Sequence, residues 1–384
     1  MQNQVNKYLK KLLDHGLITS PADAQLYGLD DEIYTNNDRI PEEVRALFDG
    51  LAINSLLIAR PDPLRWAIIN ELALANPGLI SPKDTESLTF IHDIPVVESF
   101  DPGLVACALN SRKGCIVKDL GIITTGTVSL EQAFVVMSSI CFACFVKFFT
   151  DILLGLQGLE GNAPPSVPQI DACQRFLLQL APPALSNPLS VTPPIDEAGI
   201  IKNMDETGKA TVAARLVDSF FGNISFRKDA LIYISQTGSS LDELPGRIDC
   251  VPLDGSSTCE ITSSSELWAH VKIYELTGDR VILHGHPRFS VIMSMAGGPL
   301  KFGHTRTIGH VPVVAGEVGA GRHGLVHTLP QAMQADHAAI VHGHGVFASS
   351  ATSFRKAFER LSSIERMCFE KYKEALGIRL LEKN

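Results

Sequence analysis

IVKDLGIITTGTVSLEQAFVVMSSICFACFVK (residues 116–147) aligns without a gap on IVHGHGVFASSATSFRKAFERLSSIERMCFEK (residues 340–371), at an offset of 224. Twelve of these 32 positions are identical. They include Gly121/Gly345, Ala133/Ala357, Phe134/Phe358 and Ser138-Ser139-Ile140 over Ser362-Ser363-Ile364. Upstream, HDIPVV (92–97) resembles GHVPVV (309–314), and LIARP (57–61) resembles LHGHP (283–287). The chain therefore reads as two copies of one fold, the first of them worn.

The copies differ where chemistry would reside. His284 and His286 in LHGHPRFS fall opposite Ile58 and Arg60, and His344 in VHGHGVFA falls opposite Leu120. His-x-His on a strand puts both imidazoles on one face, because side chains alternate with period two. A third imidazole from a neighbouring strand completes an open three-ligand metal site, which leaves a position for substrate or water. His342 also fits the second string, but His344, between Gly343 and Gly345, is the stronger ligand candidate. Glu266, in TSSSELWAH, is placed to supply an acid/base. The first copy should keep the fold and lack the site.

The helix after the repeat differs as well. In the second copy it carries Glu359, Arg360, Glu365, Arg366 and Glu370, which reads as a solvated face. The first copy has Val135, Val136, Cys141, Phe142 and Val146 there. A helix apolar all round is a buried helix, covered here by another domain or another subunit. Its apolar run, Ala133 to Val146, is shorter than the ~20 residues a bilayer span needs.

Between the copies, residues 155–195 hold eight of the 22 prolines, a density that interrupts helix and sheet. One short helix over CQRFLLQLA (173–181) fits inside. The reading is a degenerate domain over 1–154, a Pro-rich linker over 155–195 and a metal-binding domain over 196–384. At 384 residues, two domains are the default. The formal charge of -9 argues against nucleic acid as a partner. The eight cysteines show no zinc-ribbon or disulfide spacing, and Cys141-x-x-Cys144 lies in an apolar run as core thiols. The N-terminal MQNQVNKYLKKLLDHG reads as an amphipathic helix rather than a signal peptide, which predicts a cytoplasmic protein with no membrane partner.

In the second copy, helices are expected over Thr207–Ser219, from Ser264/Ser265 to about Leu276, and from near Thr352. Strands are expected over Gly222–Phe226, Leu231–Ser235, Val281–Leu283, Val291–Met295, Val311–Val314 and Ala339–Val341. The class is α/β with a sheet that need not be parallel. Gly222-Asn223-Ile224-Ser225 and Gln236-Thr237-Gly238-Ser239-Ser240 are loops rich in amide and hydroxyl donors. Ser264-Ser265 opens a helix, where backbone N–H groups favour an anion.

The order GNIS (222), TGSS (237), SSSE (263), HGH (284) and GHG (343) resembles the class II aldolase/adducin head family, over about residues 200–376. That resemblance implies a three-layer α/β/α fold with a mixed, largely antiparallel central sheet, here present twice. It makes His284, His286 and His344 ligands of a divalent metal, usually zinc, with Mn²⁺, Co²⁺ or Fe²⁺ as alternatives. It places Glu266 at the acid/base position, and Asn223, Thr237, Gly238, Ser264 and Ser265 at a substrate phosphate site. The implied activity is a metal-dependent lyase that cleaves or forms a carbon–carbon bond in a small hydroxy-carbonyl substrate. Dehydratase, decarboxylase and epimerase chemistry share the scaffold, although the epimerases carry Asp where this chain has Glu266. A non-catalytic, adducin-head-like interaction module is the other alternative.

Three features depart from the family. The aldolases use tyrosines from a neighbouring subunit and a C-terminal tail. Here ALGIRLLEKN has none, and Tyr372 lies inside the last helix. His304, His310, His323 and His327 come after the H-x-H string without family counterparts. The fused first copy suggests a homo-oligomer in which that copy stands in for a neighbouring subunit, so that two chains imitate a tetramer.

Overall fold

The computed structural model describes residues 1–183, 189–218, 220–254, 256, 261–319 and 321–377. The chain forms two compact units: Met1–Phe149 with Val167–Gln179, and Thr150–Ser166 with Leu180–Asn384. Each is a mixed α/β unit on one mostly antiparallel sheet.

The first unit begins with α1 (Gln2–Asp14) and the hairpin β1 (Ala24–Leu29) and β2 (Ile33–Thr35). Next come α2 (Glu42–Gly50), β3 (Ser55–Ala59), α3 (Pro63–Ala75), β4 (Leu79–Ile80) and α4 (Thr85–Phe90). The chain continues through β5 (Ile94–Val97), α5 (Pro102–Ser111), β6 (Gly114–Val117), β7 (Gly121–Gly126), α6 (Leu130–Leu156), whose residues from Thr150 on are counted with the second unit, and α7 (Val167–Gln179). The sheet order is β2-β1-β3-β7-β6-β5-β4, with β5 and β6 parallel. Val44, Leu47, Val105 and Leu109 from α2 and α5 cover one face, over Leu56, Ile58 and Ile123.

The second unit repeats this plan with α8 (Glu197–Ala213), β8 (Asn223–Lys228), β9 (Leu231–Ser235), β10 (Ile248–Pro252), α9 (Leu267–Thr277) and β11 (Val281–Gly285). After these come α10 (Arg288–Ser294), β12 (Thr305–Ile308), β13 (Val311–Val314), α11 (Leu329–Asp336), β14 (Ala338–Val341), β15 (Gly345–Ser350) and α12 (Phe354–Ala375). Its sheet order is β10-β9-β8-β11-β15-β14-β13-β12, with β13 and β14 parallel. Without the edge strand β10, the two orders coincide.

The repeat read in the sequence is also a register in space. β6, β7 and the start of α6 precede β14, β15 and the start of α12 by the same 224 positions. Val96 and Val97 pair with Ile116 and Val117, as Val313 and Val314 pair with Ile340 and Val341. Ile58 pairs with Ile123 where His284 pairs with Phe347. The histidines are therefore compared with the residues that occupy their own places.

Gly121 and Gly345 are identical for a steric reason. A Cβ on Gly121 would lie 2.4 Å from the Ala59 carbonyl oxygen, and one on Gly345 would lie 2.5 Å from that of Gly285. Heavy atoms cannot approach so closely, so only glycine lets the turn before the strand press against its neighbour.

Several expectations need correction. Val291–Met295 is not a strand: its residues lie in or directly after α10, which starts after Pro287. All but the half-buried Met293 are buried, and their largely apolar, partly β-branched pattern does not separate strand from helix. The helix expected over Thr207–Ser219 is α8, which starts at Asp196 as N-cap and ends at Ala213; Ser219 lies outside the described residues. Glu365 is not on a solvated face but is buried, with its carboxylate on the N-terminus of α10. The short helix within the proline-rich segment is longer than expected, spanning Val167–Gln179.

α6 behaves as its composition requires. The helix runs 27 residues, beyond the apolar run that stops at Val146. By length and composition it could cross a membrane, but 94% of its most apolar stretch is buried inside the chain. The rings of Tyr8 and Phe176 pack at a tilt against its Phe134 and Phe148. Val146→Glu, which installs the residue found at position 370 in the other copy, should cost several kcal/mol, because the carboxylate would be buried without a partner. Glu370→Val should change stability by less than about 1 kcal/mol, since Glu370 makes a partly exposed pair with Lys373. Urea denaturation of both variants checks this; equal effects would refute it.

Candidate metal centre

β11 lies between β8 and β15, with His284 opposite Asn223 on one side and Phe347 on the other. The His284 ring stacks on Phe347 at 3.9 Å between centroids. Its Nδ1 is 3.0 Å from the Val346 carbonyl, which can only accept, so this contact holds a proton on Nδ1 and turns Nε2 toward the cluster. His286 sits just past the end of β11. His344 closes the turn between β14 and β15, its N–H donating to Val341.

The three Nε2 atoms meet at one buried point. Those of His284 and His344 are 3.1 Å apart, and those of His286 and His284 are 2.9 Å apart. All three side chains are buried. Tetrahedral zinc, with bonds of about 2.0–2.1 Å, would set its nitrogen ligands roughly 3.3 Å from one another. The donor set fits a divalent ion. His342, the weaker candidate, lies elsewhere: its Nδ1 is 2.8 Å from the Ser294 carbonyl and 3.1 Å from the Arg306 guanidinium.

Glu266 completes the cluster. Its Oε1 is 3.4 Å from His344 Nε2, and its Oε2 is 3.6 Å from His284 Nε2. Asn223 Nδ2 donates to Oε2 at 2.5 Å. Among the described residues, Glu266 Oε1 and Asn223 Oδ1 are buried without a hydrogen-bond partner. Such orphans are costly, and a cation or a bound hydroxyl group would relieve them. Burial alone would raise the Glu266 carboxyl, but the imidazoles of His284 and His344 and the Asn223 amide outweigh it and hold it at about 2. Burial, then His284 and His344, push His286 well below its ordinary value, so this imidazole is neutral and fit to ligate.

The loop residues lie at different depths. α9 starts at Leu267, later than expected, because Ser264 and Ser265 form a turn that places Glu266 as N-cap with its side chain on the histidines. The loop after β9 meets the segment before α9 through the Gln236–Ser263 bridge and the Thr237 N–H to the Thr262 carbonyl. Thr237, Gly238 and Ser265 are exposed, whereas Ser264 is buried and accepts from the Glu266 N–H. Asn223 is the deepest of the set, held against the Glu266 carboxylate. His304, His310, His323 and His327 are all exposed and stand outside the cluster.

His270 was not singled out in the sequence, although its spacing from Glu266, one turn along α9, was the available signal. It is fully buried, with Nδ1 2.7 Å from Ser225 Oγ, which also meets the Tyr274 hydroxyl at 2.6 Å. Burial pushes His270 down to about 3, against a smaller upward pull from Glu266.

Residues 202–371 match the family model described as Class II Aldolase and Adducin N-terminal domain. This stretch, less than half of the chain, is what the chain shares with that family. Among solved structures, L-fuculose-1-phosphate aldolase from Thermus thermophilus is 23% identical, over 47% of this chain and 94% of its own, with a TM-score of 0.39. An aldolase II superfamily protein from Pseudomonas syringae is 18% identical, over 48% and 76%, with a TM-score of 0.38. A sugar-phosphate aldolase from Thermotoga maritima is 16% identical, over 49% and 97%, with a TM-score of 0.34. No curated protein matches the chain.

The His270 shift predicts a pH dependence. The folded state holds His270 neutral down to about 3, while the unfolded chain takes up that proton near 6.5. Between those values the unfolded state binds more protons, so stability is full above 6.5 and falls as pH drops through the window. One such group contributes up to about 1.4 kcal/mol per pH unit. His270→Gln should flatten the dependence of the urea midpoint over this range; parallel curves would count against the assignment.

Proposed function

We propose that the second unit is the catalytic half of a divalent-metal-dependent lyase of class II aldolase type. It would make or break a carbon–carbon bond in a small hydroxy-carbonyl substrate. The observation that carries this reading is the buried convergence of three imidazole Nε2 atoms with a carboxylate beside them. His284, His286 and His344 would hold the ion, most readily zinc, with Mn²⁺, Co²⁺ or Fe²⁺ as alternatives. When bound, such an ion supplies a Lewis acid to a substrate carbonyl.

The chain's own residues supply the rest. Glu266 is ionised at rest, so it begins as a proton acceptor. Asn223 occupies Oε2 and leaves Oε1 for the proton that moves. Phe347 and the buried strand ends around His284 exclude water, which strengthens each charge at the site. The donors at Thr237, Gly238, Ser264 and Ser265 suit a phosphate, or a carboxylate, on the substrate.

The first unit fits a non-catalytic role. Arg60, in the place of His286, donates through Nε to the Leu120 carbonyl at 3.1 Å and also bonds the Asp119 carbonyl. A fixed guanidinium thus joins the strand end to the turn. We further propose that this unit takes the place of a neighbouring subunit in a dimer of chains; an active chain that light scattering shows to be strictly monomeric would end that idea.

Glu266→Gln should keep bound metal and lose about 10²–10⁴ in kcat on a panel of ketose phosphates. Full activity would remove the acid/base role. His284→Ala should lose the metal, measured by elemental analysis. Equal and substoichiometric metal in wild type and variant would favour the interaction module instead.

A further inference from the structure

His286, like His344, lies one residue outside the sheet ladder. β11 ends at Gly285, which pairs with Val346, and His286 lies beyond that last ladder position. Pro287 and then α10 come directly after it. Proline as N-cap offers no side-chain acceptor, so the first N–H groups of α10 need one from elsewhere.

Glu365 provides it from α12. Its Oε1 accepts from the Phe289 N–H at 2.8 Å, and its Oε2 accepts from the Ser290 N–H and the Ser290 hydroxyl, each at 2.8 Å. A carboxylate at a helix N-terminus is also favoured by the helix dipole. Arg288, between Pro287 and these donors, is tied to Asp218 through two contacts, 2.8 Å from Nη2 to Oδ1 and 3.3 Å from Nε to Oδ2. All three charged side chains are buried, so these bonds are shielded from water and salt.

The first unit solves the same problem locally. Its helix α3 is capped by its own Asp62, which accepts from the N–H groups of Leu64 and Arg65. Cys141 stands where α12 has Glu365, and Arg60 where the other unit has His286. The long-range cap and the histidine occur together, and both are missing from the copy without the ligand set.

We propose that Glu365 is a positioning residue for His286. It holds α10, and through α10 the backbone that aims the third imidazole at the shared point. The consequence for metal affinity rests on the function proposed for this site, but the geometric core can be measured without metal.

Two readouts on purified full-length protein test it: Zn²⁺ affinity by competition with a chromophoric chelator, and amide hydrogen exchange over residues 285–294 in metal-free protein. Glu365→Ala should lower Zn²⁺ affinity by about 10- to 100-fold, the usual effect of losing an outer support of a metal ligand. It should also speed exchange over 285–294 while β8 stays protected. Glu365→Gln, which keeps one acceptor oxygen, should recover part of both effects. Phe354→Leu, which loosens the first turn of the same helix where Phe354 stacks on Phe226, should lower global stability without changing affinity. If Glu365→Ala does not fold, Ser290→Ala removes one of the three bonds and should give a smaller shift in the same direction. Wild-type affinity and exchange in Glu365→Ala, or in Ser290→Ala where that variant is needed, would overturn the proposal. If wild type itself binds no Zn²⁺, the metal reading fails, and the exchange data alone decide whether Glu365 positions the segment.

Discussion

The centre depends on how closely two strand ends approach each other. The turn that carries His344 lies against the end of β11, and Gly345 is the point of contact. A Cβ there would meet the Gly285 carbonyl at 2.5 Å and the rings of His286 and His284 at 2.8 and 2.9 Å. Any side chain would push the turn away and separate the imidazoles. Backbone sterics come first, the ring geometry results from them, and the electrostatics of Glu266 result from the rings.

The same approach exists in the first unit without any site. Gly121 meets Ala59 as Gly345 meets Gly285, so the contact belongs to the fold rather than to chemistry. What changed between the copies is the set of side chains placed at it. Where the second unit brings three imidazoles together, the first has Ile58, Leu120 and Arg60. Imidazole nitrogens at 2.9–3.1 Å from one another are not stable neighbours unless a proton or a cation lies between them. Arg60 carries its own charge and satisfies it on backbone carbonyls. The first unit therefore keeps the architecture with no need for an exchangeable ion at that point.

Much of this was legible in the sequence, because repetition supplies what a single copy lacks. Two aligned strings fix the strand register, and within that register the three histidines stand out against Ile58, Arg60 and Leu120. The parts that could not be read share a physical cause. Val291–Met295 looks like a strand because β-branched and apolar residues suit both a buried strand and a buried helix. Its helix depends on a carboxylate 75 residues away, which no local window contains. Glu365 looked solvated because charge normally marks the wet face of a helix, and its burial makes sense only once α10 supplies three donors. Asp218 and Arg288 were missed in the same way, since a buried ion pair is a tertiary fact.

These long-range contacts also explain why the polar groups cluster so tightly in the second unit. An unpaired buried charge is strongly destabilising, whereas a fully bonded one is nearly neutral. The Glu365 and Asp218–Arg288 contacts satisfy their carboxylates and lie on the scaffold side of His286. The Glu266–Asn223 pair keeps one oxygen of each member unbonded and lies on the histidine side. The fold thus separates two kinds of buried polar group. Those that hold the site are satisfied within the chain, and those that face it retain unmet valence. That residual valence is destabilising in the free protein and becomes favourable when a ligand completes it, as differential binding at a reacting centre requires.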